Sequence, residues 1–145
     1  MDEVLDLRAQ LDAWCASYVT AFEAFDLAGI RSHWKLPALI VSGQRQFAMG
    51  EAEGFDRNTA ALIAFYERQD ARKVERTILS CQPMFENTAA MQVKDVISTP
   101  TGKNIVSWVS AYVLMNTAFG WRAIFADATG EAEAWAARGT PLGSE

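Results

Sequence analysis

The chain has 145 residues, of which 50% are hydrophobic, and a formal net charge of −5 from 13 Lys and Arg against 18 Asp and Glu. This length fits one domain, and the composition is typical of a globular protein rather than of a disordered chain or a coiled coil. Nucleic acid is excluded as an expected partner, because an acidic chain without a basic run lacks the positive stripe that phosphate binding needs.

The N-terminal residues predict a long amphipathic helix. Apolar side chains recur at steps of three and four over residues 2–25, which places them on one stripe of a helix. The stripe consists of Leu7, Leu11, Trp14, Tyr18, Phe22 and Phe25. Asp26 then predicts the cap of a short second helix over residues 27–34, because its carboxylate can accept hydrogen bonds from the free N–H groups of the first turn.

A hairpin and a third helix are predicted next. Pro37 disfavours helical backbone before it and favours an extended chain. Residues 38–41 and 46–49 flank a turn in which Gly43 supplies backbone freedom, so this segment is interpreted as a β-hairpin. A third helix is predicted over residues 56–69.

The second half of the chain predicts an antiparallel meander. Extended patterns cover residues 74–81, 88–98, 104–116 and 121–126, and turn residues separate them. Pro83 indicates a bend, bulge or edge position, because proline cannot donate to a ladder.

Two features of the predicted strands concern function. Asp95 falls in the apolar row of its strand, with Met91, Val93 and Ile97, where a carboxylate is unusual. The strand at 105–115 is apolar on both faces, so both faces are expected to be covered, one by the helices and the other by a partner chain. We therefore expect a homodimer through the outer face of the sheet.

The two ends and the cysteines suggest few special roles. Residues 1–127 are interpreted as one domain and residues 128–145 as a C-terminal tail with a short helix at 131–138 and a frayed end at 139–145. The N-terminus lacks the features of a signal peptide and no apolar run is long enough for a membrane span, so a cytoplasmic protein without membrane contact is expected. Cys15 and Cys81 are expected to be buried free thiols, and neither a metal nor another cofactor is predicted.

The order of elements and two local motifs resemble the NTF2-like superfamily, also called SnoaL-like or cystatin-like. Residues 18–27, YVTAFEAFDL, resemble the end of the family's first helix and its turn into the second. Residues 119–125, FGWRAIF, resemble its closing strand. The resemblance implies an α+β cone in which three N-terminal helices pack on a curved antiparallel sheet, in the order helix, helix, hairpin, helix and then three to four long strands. The family includes isomerases, dehydratases, cyclases and association domains, so the fold alone does not select a function.

The ketosteroid isomerases of this superfamily allow a residue-by-residue comparison. Tyr18 matches the tyrosine that donates to the developing oxyanion in those enzymes. Their general-base aspartate falls at Ser42 and their second oxyanion donor at Ser110. A serine without a neighbouring base does not abstract a carbon-bound proton near neutral pH, so this chemistry is disfavoured.

Two titratable residues remain as catalytic candidates beside Tyr18. His33, the single histidine, lies near the end of the second predicted helix, where it is either a helix-capping residue or catalytic. Asp95 is either an unpaired carboxylate with a raised pKa, suited to acid–base work, or a structural residue that a bulge or a Lys or Arg partner accommodates. A proton relay between Asp95 and His33 is a further hypothesis.

The aromatic residues are either core or the wall of a ligand cavity. The candidate ligand-binding residues are Trp14, Tyr18, Phe22, Trp34, Trp108, Ser110 and Tyr112, and Ser42 and Arg45 are candidates to orient a polar group. Two functional classes follow: a module that binds a small apolar ligand or associates with another protein, and a metal-free isomerase, dehydratase or cyclase that uses Asp95, Tyr18 and His33. The missing carboxylates favour the first class.

Overall fold

The computed structural model describes residues 2–142 and has an α+β order of elements: two helices, two strands, a third helix, four consecutive strands and a last helix. The helices are α1 (Asp2–Glu23), α2 (Leu27–Arg31), α3 (Ala52–Arg68) and α4 (Thr129–Ala137). The strands are β1 (Trp34–Ser42), β2 (Arg45–Met49), β3 (Lys73–Phe85), β4 (Thr88–Ser98), β5 (Asn104–Thr117) and β6 (Gly120–Asp127).

The six described strands form one curved sheet in the order β2-β1-β6-β5-β4-β3. The α+β cone is confirmed, and β3 to β6 form the predicted antiparallel meander. The sheet is mixed rather than wholly antiparallel, because β1 pairs with β6 in parallel. Two parallel strands need a long connection between them, which here contains β2, α3 and β3 to β5. The residue pattern of β1 or β6 alone does not indicate this parallel pairing.

The first two helices end earlier than predicted. Phe25 adopts a left-handed backbone with φ of 53°, so α1 stops at Glu23 instead of 25. Asp26 caps α2 as predicted, because its Oδ1 accepts from the Gly29 N–H at 3.0 Å. α2 ends at Arg31 rather than 34, since Trp34 already belongs to β1.

The hairpin and the third helix are both longer than predicted. The turn at Gly43 forms with φ of 65°, and β1 and β2 pair from it, but β1 begins at Trp34 instead of residue 38. α3 begins at Ala52, four residues before Asp56. The Asp56 carboxylate instead accepts from the Arg31 guanidinium of α2 at 2.9 Å, which a pattern of local capping does not reveal.

The later strands agree closely with the sequence pattern. β4 has the predicted bounds, and β5 and β6 differ from prediction by one residue at one or both ends. β3 runs through Pro83 to Phe85, and the predicted irregularity is a shift of register between these two residues. The predicted frayed end at 139–145 lies partly outside the described residues.

The tail helix packs into the core. α4 lies against β5, and Gly130 approaches so closely that a Cβ there would stand 2.3 Å from the Val109 carbonyl oxygen. Trp135 is completely buried and packs edge-on against Phe65 of α3, with ring centroids 5.0 Å apart. α4 therefore closes one side of the space between the helices and the sheet.

Candidate functional site

A cavity of about 600 Å³ lies between the inner face of the sheet and helices α1, α3 and α4. Its volume is in the range of small-molecule sites. Its walls are mostly apolar and rich in aromatic rings, contributed by Tyr18, Phe22, Trp34, Phe47, Phe55, Phe65, Tyr66, Trp108 and Tyr112.

Most of the predicted wall residues line this cavity. Tyr18, Phe22, Trp34, Trp108, Ser110 and Tyr112 all contribute to it, as do the two orienting candidates Ser42 and Arg45. Trp14 is not among the lining residues and stacks behind Tyr18, with ring centroids 5.0 Å apart. The ligand role of these residues stays a prediction.

Asp95 occupies the inner row of β4, as the alternation predicts, and only 3% of it is exposed. Its partner is Arg76, directly opposite on β3. The guanidinium donates from Nε to Oδ1 and from Nη2 to Oδ2, both at 2.8 Å. Asp95 is therefore not an unpaired carboxylate. Of the two alternatives drawn from the sequence, the structure agrees with the one in which an arginine pairs with it.

Two tyrosines complete the surroundings of this ion pair. Arg76 Nη2 also donates to the Tyr112 hydroxyl at 3.1 Å, and its guanidinium lies 5.0 Å and 5.5 Å from the ring centroids of Tyr112 and Tyr18. Burial raises the pKa of both phenols above the ordinary value, so both are neutral hydroxyls. The Tyr18 hydroxyl accepts from Trp34 Nε1 at 3.1 Å.

His33 lies outside the cavity. Its Nδ1 donates to the Gly29 carbonyl at 2.7 Å, so the neutral ring accepts at Nε2 from the Ser17 hydroxyl at 2.8 Å. Burial lowers the pKa of this imidazole, which favours the neutral form. No hydrogen bond joins His33 to Asp95 among the described residues, since both ring nitrogens and both Asp95 oxygens have other partners, so the structure gives the relay hypothesis no support. The geometry at the end of α2 is that of the capping alternative.

Glu131 is a cavity residue that the sequence analysis missed. It projects from the first turn of α4, and its Oε2 accepts from the Tyr66 hydroxyl at 2.5 Å and from Trp135 Nε1 at 3.2 Å. Burial raises the pKa of this carboxyl from 4.5 to about 6. The signal available in the sequence was Trp135 four residues after Glu131, a spacing that places both on one side of a helix.

Replacing Glu131 with glutamine is expected to stabilise the protein at alkaline but not at acidic pH. A raised carboxyl pKa means that the folded state holds the proton more tightly than the unfolded state. The cost of ionisation is therefore absent below pH 4.5, grows as the pH rises to 6 and stays at about 2 kcal/mol above it, the free energy that separates a pKa of 4.5 from one of about 6. Urea unfolding at pH 4 and pH 8 measures this difference.

The matched control is Glu133→Gln on the exposed side of the same helix. The prediction fails if Glu131→Gln and Glu133→Gln change the free energy of unfolding by the same amount at both pH values.

Other site types receive no support from the described residues. Within 2–142 there is no group of three or more His, Cys, Asp or Glu side chains that could hold a metal ion. None of the helices there is long and apolar enough to cross a membrane. Both cysteines are free, with Cys15 buried and Cys81 half-buried.

The chain belongs to the NTF2-like proteins. The family model described as NTF2-like protein (DUF6841) matches residues 8–130, most of the chain. No curated protein is similar enough to count as a match.

Solved structures show the same fold at low sequence identity. An NTF-2 like protein of unknown function from Shewanella oneidensis MR-1 has a TM-score of 0.66 at 11% identity, and the match covers 83% of this chain and 96% of that one. A ketosteroid isomerase-like protein from Erwinia carotovora atroseptica SCRI1043 has a TM-score of 0.61 at 14% identity, covering 82% and 92%. A protein of unknown function with a cystatin-like fold from Nostoc punctiforme PCC 73102 has a TM-score of 0.63 at 7% identity, covering 83% and 87%. Likeness at this level concerns the fold and leaves the function to the site.

Proposed function

We propose that this protein binds a small, largely apolar molecule in the cavity between its helices and its sheet. The observation that carries the proposal is an open volume of about 600 Å³ whose walls are mostly aromatic and aliphatic. An interior that served packing alone would be filled by its own side chains, because protein cores leave few voids larger than a water molecule.

The catalytic alternative is an isomerase, dehydratase or cyclase with Asp95 as the acid or base and Tyr18 as the oxyanion donor. Both Asp95 oxygens already accept from Arg76. A proton transfer through Asp95 would first have to break a bidentate ion pair in which the two side chains are 6% and 4% exposed. This arrangement supports a structural role for Asp95 and hence the binding function.

We further propose that the protein forms a homodimer, in which the outer face of β5 is buried. Val109, Val113 and Met115 alternate with the inner row and lie on that face, and Val109 is 44% exposed in the single chain. Sedimentation equilibrium at micromolar concentration is expected to give twice the chain mass, and a monomer mass would contradict this part of the proposal.

The cavity itself is tested with 2-(biphenyl-4-yl)ethanol, an apolar probe with one polar end. We expect saturable binding to the wild type by isothermal titration calorimetry, and at least about tenfold weaker binding to Ala132→Phe. Ala132 lines the cavity from α4, so a phenyl ring there takes part of the ligand volume. A loss of tenfold corresponds to about 1.4 kcal/mol of binding free energy.

The control is Ala136→Phe, at an exposed position of the same helix that does not line the cavity. This variant should bind the alcohol as the wild type does. Absence of saturable binding to the wild type, or equal binding by both variants, would overturn the proposal.

A further inference from the structure

Glu131 lines the cavity without a cationic partner, and its carboxylate hydrogen-bonds to two aromatic side chains. Arg76 and Asp95 neutralise each other within the wall. Arg45 is exposed, and its guanidinium lies 4.9 Å from the centroid of its neighbour Phe47. Among the described residues, no Lys, Arg or His forms an ion pair with Glu131.

The remaining carboxylate of the lining, Asp127, has a structural task at the end of β6. Its Oδ1 accepts from the Thr129 N–H at 3.0 Å at the start of α4. It pairs in register with Val41, beside the hairpin turn, where the sheet meets solvent. Asp127 is thus a second carboxylate in the lining of the cavity, and a variant at each position separates their effects.

The hydrogen bonds of Glu131 leave one of its oxygens free. Tyr66 and Trp135 both donate to Oε2, and within the described residues Oε1 accepts no hydrogen bond. These two donors fix the direction of the carboxylate and hold it against two aromatic rings. Glu131 is half-buried, and a partly desolvated carboxylate without a cation is costly, so a cationic ligand relieves that cost.

The neighbouring rings suit the same kind of ligand. Tyr66 and Trp108 line the cavity beside Glu131, and the Trp135 ring contacts both, with centroids 5.8 Å and 6.3 Å away. An ammonium group is attracted to the faces of such rings as well as to a carboxylate. A hydrophobic body fills the apolar remainder of the cavity.

We infer that the cavity selects an amine: a ligand with an aromatic or aliphatic body and one protonated amino group that donates to Glu131 Oε1. This inference rests on the proposed function, since it names the class of ligand for the same cavity. Glu131 is then the residue that determines the specificity for amines, and this specificity does not require Asp95 or Tyr18.

Three probes that share one apolar body test the inference. These are 2-(biphenyl-4-yl)ethylamine, 2-(biphenyl-4-yl)ethanol and biphenyl-4-ylacetate, measured by isothermal titration calorimetry at pH 7.5. The amine is expected to bind at least about tenfold more tightly than the alcohol, because the ammonium group adds a Coulomb attraction to the hydrogen bond that either probe can donate to the ionised carboxylate. The carboxylate is expected to bind most weakly, because it would face Glu131 with like charge.

The preference should also depend on pH in one direction. Protonation of Glu131 removes its charge, so the ratio of amine to alcohol affinity should fall towards one as the pH is lowered from 7.5 to 5. The other titratable groups around Glu131 are Tyr18 on α1, Tyr66 on α3, Arg76 on β3, Asp95 on β4, Tyr112 on β5 and Asp127 on β6. The tyrosines are neutral over this range and the arginine stays charged, so the alcohol serves as the control for any change in the remaining wall.

Two variants separate the carboxylates. Glu131→Gln should remove the preference for the amine over the alcohol, whereas Asp127→Asn, whose Oδ1 can still accept from the Thr129 N–H, should retain it. Equal binding of amine and alcohol to the wild type would overturn the inference and leave the cavity proposal standing. Loss of the preference in Asp127→Asn but not in Glu131→Gln would also overturn it. Failure of all three probes to bind would overturn both proposals.

Discussion

Arg76→Met is expected to lower the free energy of unfolding by about 3–5 kcal/mol, the usual cost of removing one partner of a buried ion pair. The methionine has a similar apolar length but cannot donate, so the Asp95 carboxylate would keep its place in the inner row of β4 without a cation. The Tyr112 hydroxyl would lose the same donor. Urea unfolding at pH 7 measures the loss.

The double variant Arg76→Met/Asp95→Val separates the charge from the packing. Valine matches the apolar neighbours Val93 and Ile97 on the same face of the strand, and with both charges gone neither is left unpaired. We expect the double variant to be more stable than Arg76→Met alone, since apolar replacements of buried pairs are often close to neutral. The single variant Asp95→Val completes the comparison. If the double variant loses as much free energy of unfolding as Arg76→Met and Asp95→Val lose together, the two side chains do not stabilise the fold as a coupled pair.

Much of the fold follows from local patterns. The alternation in β4 has a period of two, so the inner position of Asp95 could be read from the sequence together with its apolar neighbours. Trp108, Ser110 and Tyr112 also share one face of β5 and line the cavity, but they were named as candidates without use of this alternation. Both patterns involve only residues that are close in the chain.

Other features depend on contacts between distant segments. The partner of Asp95 is set by the register of β3 against β4, which places Arg76 opposite it, and a strand pattern does not reveal register. The parallel pairing of β1 with β6 depends likewise on how the whole sheet closes. α3 begins four residues before Asp56, whose carboxylate contacts Arg31 of α2, a partner 25 residues away in the chain.

The tail illustrates the same limit for the functional site. Residues after 127 are rich in Ala, Gly and Glu, so their composition resembles a solvent-exposed end. Only the docking of Trp135 between Phe65 and Trp108 shows that this helix completes the cavity and carries Glu131 into its wall. The composition of a segment does not predict which part of the folded protein the segment packs against.

Trp135→Ala is expected to cost about 3–5 kcal/mol, the range for truncating a fully buried tryptophan. The indole holds α4 to α3 through Phe65 and Tyr66 and to the sheet through Trp108. Its loss leaves a cavity beneath the helix that backbone movement fills only in part. Urea unfolding at pH 7 gives the size of the effect, and a loss below about 1 kcal/mol would mean that α4 is not anchored by this ring.

Trp135→Phe distinguishes packing from the polar contact with Glu131. Phenylalanine keeps an aromatic ring against Phe65 but has no N–H to donate to Oε2, so part of the stabilisation of the ionised carboxylate disappears. The pKa of Glu131 should therefore rise further in this variant, and its deficit relative to wild type should be larger at pH 8 than at pH 4. A deficit that is equal at the two pH values would assign the whole contribution of Trp135 to packing and none to the charge that faces the cavity.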